Sequence, residues 1–232
     1  RAAKYSSCKN EKGTVMQKIA KAISWVFLPL FMPIYGLLLT LYIPSQELDI
    51  SKPSLFYLAD ALKRQILFLF LVFVTIAPGI SFILMYKRGL LSSVEMEERK
   101  ERLFPLFIML SYCILLFFLF WKKAPNNFLP IYIYTLPLTG AIVALMCMIL
   151  TTRFKISLHA AGAGILTGYI CAFANNQIEF HNMIILAAIF SSGCILSARL
   201  YLNKHTPNQV YLGWSLSFAA TYACMIWLPE LL

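Results

Sequence analysis

The chain has 232 residues, 60% of them hydrophobic and 15% aromatic, and its 20 Lys and Arg against 10 Asp and Glu give a formal net charge of +10. So apolar a composition excludes a soluble domain and marks an integral membrane protein. The positive charge then reads as a topology signal and an attraction to anionic membrane lipids, and a nucleic-acid partner is excluded because no soluble basic domain exists to carry it.

Residues 1–15 precede Met16, which opens MQKIAKAISWVFLPL. They read as an N-terminal extension without fold information. From 16 to 232 apolar segments follow one another with short polar breaks, which predicts one integral membrane domain. The expected fold is all-α, a polytopic bundle of about six to seven transmembrane helices. A span needs about 20 apolar residues. Seven windows are candidates: 22–43, 65–86, 104–121, 129–150, 158–175, 182–200 and 208–228.

The first window carries Pro29 and Pro33, kinks that spanning helices tolerate. Asn175, Asn176, Glu179 and His181 form a polar turn between the fifth and sixth, which are the weakest. Gly164 and Gly168 have small-xxx-small spacing, a packing signal. Five cysteines (Cys113, Cys147, Cys171, Cys194, Cys224) lie in apolar runs without metal-ligand spacing and read as small buried hydrophobes. Cys8 lies in the polar N-terminal stretch.

Seven spans place the N-terminus, 87–103, 151–157 and 201–207 at one membrane face and 44–64, 122–128 and 176–181 at the other. The first face holds more cations, among them Lys18, Lys21, Lys87, Arg88, Arg153 and Lys204, and the positive-inside rule makes it cytoplasmic. Of the three histidines, His159 and His205 fall on that face and His181 on the other, where it reads as a solvated loop residue.

Three polar segments share the first face. In EMEERKERLFP, Arg99 and Arg102 stand at i, i+3 and can point the same way; the plainer reading is a solvated charge run. In RFKISLHAAG, Ser157 can cap the fifth helix, which puts His159 in its first turn beside Lys155, where free N–H groups suit a phosphate. In ARLYLNKHTPNQVYLG, Thr206 reads as N-cap, Pro207 as the first helical residue and Gln209 as the residue that reaches back, a capping box that places His205 at the helix's positive end and Arg199 at the end of the previous helix. Each of these two segments, taken alone, could be an ordinary helix start. Together they gather cations, two histidines and two helix N-termini, which is chemistry for a phosphate ester. The two histidines point to hydrolysis, one as nucleophile and one as acid.

These residues resemble the type 2 phosphatidic acid phosphatase superfamily of integral membrane phosphatases, whose motifs are Lys-x6-Arg-Pro, Pro-Ser-Gly-His and Ser-Arg-x5-His-x3-Asp. The third reads here Ala198-Arg199, five residues, His205, three residues, Gln209; the second reads Ser157-Leu158-His159. The first is looser: Arg102 precedes Pro105, and Lys100 or Arg99 stands in for the missing lysine. The layout over most of 16–228 looks like a divergent bacterial, Bacteroidetes-like branch, which implies residence in the bacterial inner membrane. The resemblance implies that His205 attacks phosphorus to form a phosphohistidine, that His159 protonates the leaving group, and that Arg199, Arg102 and Ser157 hold the phosphate, helped by Arg99 or Lys100. It implies no cofactor and no metal. Gln209 stands where the family has an aspartate: it can orient His205 but supplies no charge.

The expected activity is a metal-independent phosphatase or phosphotransferase on a membrane lipid phosphate. The alternatives are a lipid-phosphate-binding or scaffolding protein that has lost hydrolysis, and a small transporter. Metal-dependent diphosphate chemistry fits poorly, because the only aspartates, Asp49 and Asp60, lie on the other face. The sequence is silent on which lipid phosphate is the substrate and on oligomeric state.

Overall fold

The computed structural model describes residues 15–48, 54–93, 98–123 and 129–231. Cys8, Asp49, Lys52 and residues 1–14 lie outside them. Among the described residues the chain is nearly all helix: α1 (Val15–Val26), α2 (Met32–Tyr42), α3 (Asp60–Phe70), α4 (Ala77–Lys87), α5 (Leu103–Lys123), α6 (Tyr132–Thr151), α7 (Leu158–Asn175), α8 (Asn182–Tyr201) and α9 (Pro207–Leu231). A π-turn, Leu71–Ile76, joins α3 and α4 into one 28-residue span. The protein is an all-α polytopic membrane bundle. Five helices are long and apolar enough to cross a membrane, and a sixth span forms if α1 and the bent segment Pro29–Tyr42 count as one. Large apolar side chains such as Ile80, Leu115, Ile149 and Phe190 point outward, as a lipid-facing surface requires.

The first span differs from its expected form. It is already helical at Val15, seven residues before the expected 22, and breaks into two helices bent by 41°. Proline is the cause. Pro29 disfavours helical geometry in the residue before it, and Leu28 is extended at φ −62°, ψ 142°. A short 3-10 turn, Pro29–Phe31, then starts the second helix. Lys18 and Lys21 dilute the hydropathy of α1, so composition alone places its start too late.

α7 occupies the centre. Its glycines, alanines and polar ends leave it outside the set of long apolar spans, yet Ala160, Ala163, Ile170, Ala172 and Phe173 are fully buried. Its main partner is α9. A Cβ on Gly168 would sit 2.7 Å from the Phe218 carbonyl oxygen, and one on Gly164 would collide with the Trp214 carbonyl. The small-xxx-small pair is therefore the seam that lets two backbones meet. With α7 included, seven passes run between two ends of the bundle. At the far end β1 (Gln46–Glu47) pairs antiparallel with β2 (Gln177–Glu179), which places the chain at 46–47 beside that at 177–179. At the other end lie the three polar segments. Of the five described cysteines, all free, Cys113 and Cys147 are buried and Cys171, Cys194 and Cys224 half-buried.

Candidate active site

Three hydrogen bonds stitch the segments together. Arg99 and Arg102 do point the same way: Arg99 Nη1 donates to the Arg153 carbonyl at 2.8 Å, and Arg102 Nη1 donates to the Ile156 carbonyl. Both arginines thus grip the loop between α6 and α7. The Ser157 backbone N–H in turn donates to the Gln209 carbonyl at 3.2 Å, which joins the start of α7 to the first turn of α9. Gly213 permits that approach, since a Cβ there would lie 2.8 Å from Ile156 and 3.0 Å from the Ser157 carbonyl oxygen.

The helix starts follow the expected capping chemistry. The Ser157 hydroxyl accepts from the Ala160 N–H at 3.4 Å. Gln209 Oε1 accepts from the Thr206 N–H at 3.2 Å, the reach-back of a capping box, and Pro207 opens α9. The same oxygen lies 3.2 Å from His205 Nδ1. Because the Thr206 N–H fixes an acceptor at that position, His205 Nδ1 must be the donor. The neutral ring then keeps Nε2 as its lone-pair nitrogen.

His205 borders a cavity of about 300 Å³ lined also by Arg102, Lys155, Arg199 and Lys204, with Leu202 and Asn203 completing the wall. Arg102 and Arg199 are 3% and 5% exposed, so their charge acts at low dielectric. Burial pushes the His205 imidazole down to about 4, with Arg102 the next cause and Arg199 and Lys155 adding to it, against the opposing pull of the Gln209 bond. A histidine so placed is neutral at physiological pH, the form a nucleophile needs.

His159 sits one layer back. Its Nε2 donates to the Ser24 carbonyl of α1 at 3.2 Å, and it is not among the residues lining the cavity. Ser24 O is one of the carbonyls that the end of α1 leaves without a helical partner. The Ser24 hydroxyl also accepts from Arg199 Nη1 at 3.5 Å. α1 therefore contacts both the second and the third segments.

Of the residues singled out in the sequence, the structure brings His205, Arg199, Arg102 and Lys155 to one cavity and sets Gln209 behind the His205 ring. Ser157 is fully buried as a helix cap, and Arg99 and Lys100 are exposed outside the cavity. Leu158, which replaces the motif glycine, packs against the small cluster around Leu106, Val143 and Ala161. His181, exposed at the start of α8, is at the other end of the bundle. Sequence reasoning missed two residues. Lys204 adjoins His205 and was visible only as a topology cation. Ser24 is an unremarkable serine within an apolar run, and only tertiary packing reveals it.

Residues 150–232 match the family model described as the PAP2 superfamily. No curated protein and no solved structure matches the chain. The matched stretch holds the second and third segments. The first lies outside it and is tied to it by the Arg99 and Arg102 bonds.

Proposed function

We propose that this chain, whose residues 150–232 match the PAP2 superfamily model, belongs to the type 2 phosphatidic acid phosphatase superfamily and is a metal-independent phosphatase or phosphotransferase acting on a membrane lipid phosphate through a phosphohistidine on His205. Membership supports phosphatase chemistry on phosphate esters. The observation that carries the finer reading is the His205–Gln209 bond, which commits Nδ1 and turns Nε2 into the nucleophile at the edge of a cation-lined cavity. Arg199 and Arg102 hold the phosphoryl oxygens, with Lys155 adding charge, and His159 is the proton donor to the leaving group. For that role His159 must exchange its bond to Ser24 for one to the substrate. Arg99, Lys100 and Ser157 act through the loop they order.

An apolar groove supports a lipid substrate. About 640 Å³ in volume, it lies between the α1–α2 elbow and α8 and includes Val26, Phe27, Ile184 and Ala187. Val26 is two residues beyond Ser24, so the groove starts next to the polar site. The membrane is the bacterial inner membrane, and the cation-rich end faces the cytoplasm.

The test is phosphate release from a panel of lipid phosphates in detergent with EDTA present. Wild type releases phosphate, and His205→Ala lowers turnover by at least about 10⁴-fold, the scale for a lost nucleophile. Retention of turnover in His205→Ala overturns the reading. One observation favours a second reading, a phosphate-binding protein without hydrolysis: the group behind His205 is a neutral amide, and His159 is engaged elsewhere. Phosphate release absent in wild type but present in Gln209→Asp would select it.

A further inference from the structure

The apolar groove has an order along its length. α7 packs against both α2 and α8, and its contacts fix their relative heights. Gly36 of α2 lies beside α7, where a Cβ would sit 2.8 Å from Tyr169 Cδ1 and 3.4 Å from Leu166 Cδ1. Ser192 of α8 meets Thr167 of α7, hydroxyl to hydroxyl, at 2.7 Å. α2 runs toward the far end, where β1 follows it, and α8 runs from β2 back to Arg199. Tyr35 therefore stands at the level of Ser191, Leu39 at that of Ala187, and Ile43 at that of Met183, and all six line the groove. Both series step by four residues, which keeps each on one helix face.

The polar groups along these walls are already engaged. The Tyr35 hydroxyl donates to the Val26 carbonyl at 2.8 Å, and the Ser191 hydroxyl donates to the Ala188 carbonyl at 2.9 Å. Both side chains then offer the groove mainly carbon, which suits a hydrocarbon chain. The walls differ in bulk. α2 contributes large side chains at every level, and α8 contributes only alanine at the middle one. Ala187 thus keeps the middle of the groove open.

We propose that the groove gauges the length of the substrate's hydrocarbon chain, and that Ala187 is the specificity-determining residue past which the chain must reach. The inference rests on the lipid-phosphate reading above and deepens it. Continuity with the site assigns the occupant: Val26 begins the groove next to Ser24, whose hydroxyl accepts from Arg199. From Arg199 to Ala187 α8 extends about 18 Å. An extended chain advances about 1.2 Å per bond, so eight carbons cover about 10 Å and sixteen about 20 Å. A chain of eight carbons held by its phosphate at Arg199 ends short of Ala187, and one of sixteen passes it. Exposed His181 lines the far end of the groove, so longer chains continue outward and the gauge sets a minimum length. The chain moves from one apolar phase to another, and its gain comes from packing rather than from leaving water.

The test compares hexadecyl phosphate with octyl phosphate at equal mole fraction in one detergent. Wild type favours the hexadecyl ester by at least about 10-fold in kcat/KM, and Ala187→Phe brings that ratio below about threefold. Leu186→Phe adds the same bulk to an exposed neighbour outside the groove lining and keeps the wild-type ratio. A wild-type ratio near one, a ratio that survives Ala187→Phe, or an equal loss in Leu186→Phe overturns the proposal. A second measurement needs neither variant nor turnover. Hexadecyl phosphate with a diazirine on its terminal carbon is photolysed with wild-type protein in the cold, and the labelled peptides are mapped by mass spectrometry. Label on Leu39–Ile43 and Met183–Ala187 that excess hexadecyl phosphate suppresses and hexadecanol does not supports the gauge. Suppression by both or by neither, or label spread over lipid-facing residues such as Leu115 and Phe118, marks ordinary lipid contact and overturns it. If wild type releases phosphate from neither ester, the hydrolase reading fails by itself and the labelling alone judges the groove.

Discussion

Both ends of the bundle bury cations, and they do so differently. At the far end Lys63 is 5% exposed, with its ammonium 3.9 Å from Asp60 and 5.2 and 5.0 Å from the Tyr42 and Phe56 rings. A carboxylate and two ring faces lie against that cation, which lines neither the apolar groove nor the cation-lined cavity. At the opposite end Arg102 and Arg199 are equally buried but border a cavity that no carboxylate lines among the described residues. Each of these arginines lowers the other's preference for charge, and a bound anion would relieve that repulsion. The comparison sets a cation held against a carboxylate and two rings beside cations gathered at the rim of a cavity.

Substitutions can break this comparison. The largest effect is the loss of turnover in His205→Ala. Next is Gln209→Glu, which keeps the side-chain length and adds the charge that a neutral amide lacks. The comparable neutral amide in serine proteases costs about 10⁴ in rate, so the charged variant should gain at least about 10-fold in kcat. The pH profile sharpens this. A nucleophilic histidine must be neutral, so activity falls as pH drops through its pKa. For wild type that acid limb of kcat/KM lies near 4. A carboxylate at 209 stabilises the imidazolium and moves the limb upward, toward or beyond the ordinary 6.5. An unmoved limb would mean that another group titrates there.

Ser24→Ala is a smaller effect. It removes the hydroxyl that accepts from Arg199 and leaves the carbonyl that holds His159. With Arg199 holding the phosphate as proposed, the expected loss is about 3–10-fold, chiefly in KM, with recovery in Ser24→Thr. A change in protein yield with KM unmoved would reduce Ser24 to a packing residue.

Much of the site was legible because its signals are local. The reach-back of Gln209 to Thr206, the cap at Ser157 and the shared direction of the i, i+3 pair Arg99 and Arg102 each follow from spacing within one helical turn, and each is present. The fifth window, 158–175, coincides with α7 because Ser157 and the Asn175–Asn176 pair punctuate it. The start of the first span was not legible, since Lys18 and Lys21 mask a helix that continues beneath them. Nor was the recruitment of α1: the contact between Ser24 and His159 spans 135 residues and depends on the proline bend. Spacing aligns Arg99 with Arg102 without predicting that the loop carbonyl at 153 takes its guanidinium.

The smallest effect tests the other side of the comparison. Lys63→Met keeps the length and the apolar stem of the side chain and removes the charge. If Lys63 serves the fold alone, kcat and KM stay at wild-type values on every ester. The contacts with two rings are each worth about 0.5–2 kcal/mol when desolvated, and methionine recovers part of that through its own packing against the rings. The bond to Asp60 adds little, because that carboxylate is 76% exposed and 3.9 Å away. A net loss of about 1 kcal/mol lowers the melting temperature in detergent by about 2–4 °C. If Lys63→Met instead changed KM for a lipid phosphate, the far end would be reading substrate as well, and burial beside a carboxylate would no longer separate a structural cation from a binding one.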